Sequence, residues 1–553
     1  MRHGGQILVD QLRAQGVGRV FSVPGESFLA VLDGLYDSGI QNVVCRHEGG
    51  AVMMAEAHGK VTGRPGVCFV TRGPGACNAA SGVHVARQDS TPMVLFVGQI
   101  ARGHRDREAF QEVDYRAMFG PLAKWVAEVD QTKRLPEYVS RAFHVAMSGR
   151  PGPVVLALPE DMLSAMAECA DLAPVAAMVA GVSQVQVAAV LAELQQAKRP
   201  LVVAGGAGWT PAAKADLARF AGSYGVPVAV PFRRLDHLDN GHPSYIGDLA
   251  VGMNPKLAAR LKAADCLLVL GSRLGDIATG GYEILDPAGI AGRLIHVYAD
   301  PDELGRVFRP DLGVAVPAPA MLAALAPTHA PQDLVAKWAG WTQAARADYE
   351  AWQLPQPTPG AVRLEQVVCW LQGQLPPDAV VTTGAGNYAG FVSRYLRFGP
   401  GQRFLGPTSG SMGYGFPAAI AAKLEHPGRV VVCFAGDGCF QMTLNEFSTA
   451  VQHGAAVVVV VCHNGRYGTI RMHQERNYPG RVSGTDLASP DFAALARAYG
   501  GHGERVETDA EFAPAFERAL ASGKPAVVEL RLDPEMLSTG MTLTQMRALA
   551  QKA

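Results

Sequence analysis

Gly436-Asp437-Gly438 closes one apolar run of the chain and His463-Asn464-Gly465 closes another. The Asp437 carboxylate and the Asn464 amide oxygen are hard ligands suited to Mg²⁺ or Ca²⁺, and glycines beside them let backbone amides approach an anionic diphosphate. A diphosphate held by a metal is the chemistry these residues predict. The two runs, at 430–434 and 457–462, are β-branched and bracket a helical segment at 443–453. That order reads as a right-handed βαβ unit of a parallel sheet. Its two strands end at the edge where open α/β sheets bind ligands.

The elements that position this edge must come from a chain of 553 residues, too long for one core and enough for about three domains. Hydrophobic residues make up 48% of it and its formal net charge is -1. Such a balance describes a globular protein with no global field to draw it to nucleic acid or a membrane surface. No apolar stretch is long enough to span a bilayer, and the amphipathic first residues lack the apolar core of a signal peptide. Nine cysteines are scattered without a C-x-x-C pair, so reduced thiols in the cytoplasm are expected rather than disulfides or a zinc site.

Strand and helix patterns alternate along the whole chain, which predicts an α/β protein of three doubly wound parallel-sheet domains. Their expected bounds are 1–165, 184–326 and 362–533, followed by a tail at 534–553. An Ala-rich, nonperiodic stretch at 165–185 reads as the first linker, and LPQPTPGAV leads into the third domain. In the middle domain Gly205, Gly206 and Gly208 follow a strand, and Asp300 ends another. These admit a nicotinamide-dependent oxidoreductase as a competing reading, which leaves Glu48 and the paired ligands at the strand ends unexplained.

The GDG segment with Asn464 resembles the thiamine diphosphate signature, GDG followed by NN, with His463 in place of the first Asn. The resemblance implies that Asp437, Asn464 and the main-chain carbonyl of Arg466 hold Mg²⁺ against the cofactor's diphosphate. Gly436, Gly438, Cys439, Tyr467, Gly468 and Thr469 would complete that contact. RHEGGAVMMAEAHGKVTG is similar to the RHE segment of acetolactate synthases, which makes Glu48 the activating glutamate, reaching the cofactor of a neighbouring subunit. A carboxylate bonded to the pyrimidine ring nitrogen drives the amino group toward the imino form that takes the thiazolium proton. TTGAGNY and LGPTSGSMGYGFPAAI resemble further family segments. They imply Gly386, Asn387 and Tyr388 at the diphosphate, the Gly410 carbonyl at the aminopyrimidine, and Met412 as the wedge that bends the cofactor. EAFQEVD places Gln111 in the substrate pocket.

Across the chain this resemblance implies a thiamine diphosphate-dependent enzyme that decarboxylates a 2-oxo acid and ligates the product to a second carbonyl, as acetolactate synthases do. A homodimer with active sites at its interface, paired into a tetramer, follows from the same likeness. The alternative is a nonligating decarboxylase of the benzoylformate or indolepyruvate type. Glu26 favours it, since such enzymes carry an acid there, and so does the lack of a Trp after Asn464. Bound FAD is left open, because GSR at 271–273 and Asp300 match the flavin pattern of acetolactate synthases and IGDLAVGMNP does not.

Overall fold

Strands made of Val, Ile and Leu on both faces must be covered on both faces, which forces helices onto each side of a parallel sheet. The computed structural model describes residues 1–177, 180–536 and 538–552. It contains three such sheets. After a short strand β1 (Arg2–His3), the first sheet is built from β2 (Arg19–Ser22), β3 (Gln41–Val44), β4 (Gly66–Val70), β5 (Met93–Gln99), β6 (Trp125–Glu128) and β7 (Pro153–Pro159). Next comes β8 (Met166–Ala167), which pairs antiparallel with β1. The central sheet holds β9 (Pro200–Ala204), β10 (Val228–Pro231), β11 (Tyr245–Leu249), β12 (Cys266–Leu270), β13 (Arg293–Val297) and β14 (Leu312–Val314). The last holds β15 (Val380–Thr383), β16 (Arg403–Leu405), β17 (Val431–Gly436), β18 (Val458–His463), β19 (His502–Val506) and β20 (Ala526–Arg531).

The first and last sheets are wound alike, in the orders β3-β2-β4-β5-β7-β6 and β16-β15-β17-β18-β20-β19, whereas the central order is β11-β10-β9-β12-β13-β14. All strands within each sheet are parallel. In the last sheet the winding reverses between β15 and β17, so their carboxyl ends flank a crevice.

Three segments differ from expectation. The helix foreseen at 443–453 is shorter, Glu446–Gln452, and a separate helix, Asp437–Gln441, precedes it directly after β17. Thr443 between them spends its hydroxyl on Gly413 O, and Glu446 reaches across to accept from the Arg46 and His47 amides. The first linker is strapped down: the side chains of Gln11 and Gln15 bond the backbone of Leu172, Ala173 and Val175 like the edge of a strand. Finally, the Gln332–Trp352 helix packs onto the central sheet, with Trp338 and Trp341 donating to Ala197 O and Pro200 O.

A buried polar knot joins all three units. Lys60 Nζ donates to Asp89 Oδ2 at 2.6 Å and lies 3.0 Å from Glu56 Oε1, while Tyr414 OH donates to Glu56 Oε2 at 2.6 Å. From the central unit Arg234 donates to Asp89 O. Burial pushes the Glu56 carboxyl up; Asp89 opposes the same burial through Lys60 and Arg234 and is held below its usual range. Lys60→Met would strand both carboxylates, and a loss of about 3–5 kcal/mol is expected in denaturant titration. Asp248, on β11, is half-buried with its Oδ2 enclosed and unpartnered, and desolvation, opposed by Arg233, pushes its carboxyl up to about 7. A carboxyl raised in the folded state stabilises below its unfolded value of about 3.9 and loses that contribution as pH rises through 7. Asp248→Asn should therefore flatten the fall in melting temperature between about pH 4 and 8.

Candidate active site

A cavity of about 220 Å³ opens at the carboxyl edge of the last sheet. β17 delivers Asp437 there at the start of the Asp437–Gln441 helix, 2% exposed. Its carboxylate accepts from Gly438 N at 3.0 Å, Gly465 N at 2.9 Å and Ser489 Oγ at 3.1 Å, which locks the ends of β17 and β18 together. Asn464 Oδ1 accepts from Arg466 N at 3.2 Å in a tight turn that continues through Gly465 at φ +68°. His463, the departure from the NN pattern, points into the sheet's covering layer. Its Nδ1 bonds Glu529 Oε1 at 2.7 Å, and Arg531 Nη1 lies 2.9 Å from Nε2. Burial works against the Glu529 charge, yet His463 and Arg531 hold its carboxyl below the usual range.

Across the crevice, β15 ends in a turn from Gly384 to Tyr388. The N–H groups of Ala385, Gly386 and Asn387 find no backbone acceptor among the described residues, which leaves them for an anion. Tyr388 OH donates to Cys439 Sγ at 3.3 Å and Gly413 N donates to the same sulfur at 3.2 Å. Thr469 Oγ1 donates to Asn387 Oδ1 at 3.0 Å, joining this turn to the Gly468–Asn477 helix. Gly410 stands at φ +66° with open space where a Cβ would be, and half-buried Met412 lies on the cavity wall beside it.

The structure thus brings to one cavity the residues expected at the diphosphate end, Gly386, Asn387, Tyr388, Gly436, Asp437, Gly438, Cys439, Asn464, Arg466, Tyr467, Gly468 and Thr469, together with Gly410 and Met412, expected at the pyrimidine and at the bend. Leu532 and Met536 add apolar wall that no motif announced. Behind them the tail forms the Leu543–Ala550 helix, whose Arg547 makes two 2.7 Å bonds to buried Glu475 of the Gly468–Asn477 helix. The Glu475 carboxyl is held down at about 2, chiefly by that arginine.

The residues present fit a metal diphosphate. No cluster of three or more His, Cys, Asp or Glu side chains suited to a metal occurs among the described residues. A hard cation here would draw on one carboxylate, one amide oxygen, a backbone carbonyl and the ligand's own oxygens, which suits Mg²⁺. The buried Arg466 Nε, without a partner, is a further donor.

Glu48, Glu26 and Gln111 are not on this cavity. They sit past the strand ends of the first sheet. Glu48 opens the Glu48–Thr62 helix, 9% exposed, and accepts from Asn78 Nδ2 at 2.9 Å. The Glu26 side chain is 72% exposed and pairs with Arg72 at 3.0 Å; Arg72 also holds Glu160 at 2.9 Å. Gln111 takes φ +66° against Gly73, where an added Cβ would come within 2.7 Å of its own Cβ. In the central sheet, a Cβ on Gly206 would lie 2.1 Å from Gly271 O. Trp209 folds over the same turn, donating to Gly205 O and stacking on His237 at 4.4 Å. Gly205 and Gly206 are thus packed closely at this strand-to-helix turn.

Residues 2–118, 187–325 and 384–530 match, in turn, the N-terminal TPP binding domain, the central domain and the C-terminal TPP binding domain of thiamine pyrophosphate enzymes. The chain belongs to the thiamine pyrophosphate enzyme family. It is 32% identical over 545 residues to the acetolactate synthase large subunit of Parasynechococcus marenigrum, covering 96% of this chain and 87% of that protein. To the acetolactate synthase isozyme 2 large subunit of Escherichia coli it is 31% identical over 538 residues, 96% of each. This thiamine pyrophosphate enzyme keeps its strand-end carboxylate and amide in place even where His463 departs from the pattern. Asp437→Asn should weaken magnesium-dependent uptake of thiamine diphosphate by at least about tenfold in calorimetry, since the carboxylate is the one anionic ligand in the set.

Proposed function

We propose that this enzyme is a carboligase similar to acetolactate synthase, joining two small 2-oxo acids with loss of CO₂ and using Mg²⁺ to hold its cofactor. One observation carries the reading: Asp437 and Asn464 meet a turn of free amides at one crevice, in a chain similar to acetolactate synthase large subunits along almost its whole length. Bound thiamine diphosphate supplies a nucleophilic carbon and an electron sink for decarboxylation. The protein's own residues do the rest. Asp437, Asn464 and the Arg466 carbonyl fix the charged end, Met412 and Gly410 shape the middle, and Leu532 and Met536 keep water from one wall.

Glu48 is the proton-handling group in this proposal. It is nearly buried and accepts from Asn78 Nδ2, so its carboxylate is held in one orientation from which to meet a ring nitrogen. Because Glu48 stands away from the cavity of its own chain, a complete site takes Glu48 and Gln111 from a second copy. That makes a homodimer the working unit, with a tetramer as a pair of dimers and the cytoplasm as its place. Glu26, exposed and held by Arg72, gives the simple decarboxylase reading its main support.

Protein supplied with thiamine diphosphate, Mg²⁺ and pyruvate is expected to yield acetolactate; free aldehyde alone would replace the carboligase by a nonligating decarboxylase. Glu48→Gln should slow exchange of the cofactor's thiazolium proton, followed by NMR, by about a hundredfold or more while leaving cofactor affinity near wild type. Exchange at the wild-type rate would remove Glu48 from proton transfer.

A further inference from the structure

We propose that Arg233, a residue of the central unit, is a positioning residue for the diphosphate end of the cavity; this rests on the thiamine pyrophosphate reading of that cavity. Arg233 follows β10 at φ +65°, a left-handed backbone that side chains with a Cβ rarely adopt and that the surroundings must hold in place. It is 5% exposed, its Nη1 donates to Thr383 Oγ1 at 2.7 Å, and its Nη2 donates to Gly384 O at 2.9 Å. These acceptors are the last residue of β15 and the first of the turn whose amides face the cavity.

The two bonds have a geometric consequence. A peptide unit is planar and trans, so fixing Gly384 O toward Arg233 turns the N–H of Ala385 the opposite way. Ala385 lines the cavity and its N–H has no backbone acceptor among the described residues. The fork of a guanidinium fixes both acceptors at once, which a lysine cannot do. Room for it is made on the other side as well: a Cβ on Gly406 would stand 2.8 Å from Arg233 Cδ, and the Phe232 ring lies 4.7 Å from the guanidinium.

A plain domain-packing arginine is the competing account. The neighbouring residues already do that work: Arg234 bonds Asp89 O, and Asp236 pairs with Lys214 and lies 3.1 Å from Arg403. Of Arg233, Arg234 and Asp236, Arg233 is the one that bonds the turn at the cavity, through Thr383 Oγ1 and Gly384 O. Its role is to orient backbone donors and to favour a negative ligand there.

The test is Arg233→Gly, which relaxes the left-handed backbone and empties the guanidinium's place. Calorimetry of thiamine diphosphate with Mg²⁺ should show binding weaker by about tenfold to a hundredfold. Guanidinium ion at low millimolar concentration should restore much of it, and the same concentration of sodium ion should not. Binding unchanged from wild type, or weakened binding that guanidinium leaves unchanged, would overturn the proposal. If Arg233→Gly does not fold, Arg233→Lys takes its place: weaker binding with an unchanged melting temperature supports the role, and wild-type affinity refutes it. Wild-type protein that takes up no cofactor would instead overturn the reading of the cavity, and this inference with it.

Discussion

The cavity depends on a lysine buried among carboxylates. Lys60 Nζ touches Asp89, Glu56, Tyr414 OH and Gly406 O, and Asp89 in turn accepts from Thr408 N. Charges taken out of water are tolerated only when every one is answered, and here the answers come from three separate stretches of chain. Gly406 and Thr408 belong to the loop that runs on to Gly410 and Met412. The knot therefore fixes both how the units sit together and where the middle of the cavity wall lies.

The two outer sheets share a winding order but not a chemistry. The last one gathers hard oxygens and free amides at its edge, whereas the first carries Glu48, Glu26 and Gln111 at its own. Within one chain the Glu48–Thr62 helix packs against the Gly415–Glu425 helix, and Glu446 accepts from the amides of Arg46 and His47. That packing spends the flank of the first unit on the last one and keeps Glu48 off its own chain's cavity. The central unit, wound differently, meets the first through Glu303, which pairs with buried Arg150, and meets the turn at the cavity through the loop that holds Arg233 and Arg234.

Much of this architecture was legible in sequence because parallel strands are local apolar runs and their ends are glycine-rich turns. β17, β18 and the residues after them followed from type and spacing, and the three α/β sheets from alternation. Contacts that join distant stretches left no such mark. Nothing in the letters around Lys60 or Tyr414 announces the other. His463 read as a departure, and its answer, Glu529, lies a strand away in space and far along the chain. The left-handed φ of Arg233 has no signature in composition. The Asp437–Gln441 helix went unread because it is short and carries the glycine turn itself, and the start of the Glu446–Gln452 helix was set too early because periodicity does not register a boundary made by tertiary hydrogen bonds.

One further property follows from the Arg547–Glu475 pair. It couples the final helix to the helix whose first residues, Gly468 and Thr469, form part of the cavity wall. A purification handle or a surface tether fused beyond that helix would tug on the wall through this clasp. The amino-terminal end, held in the β1–β8 ribbon, is the gentler place for one.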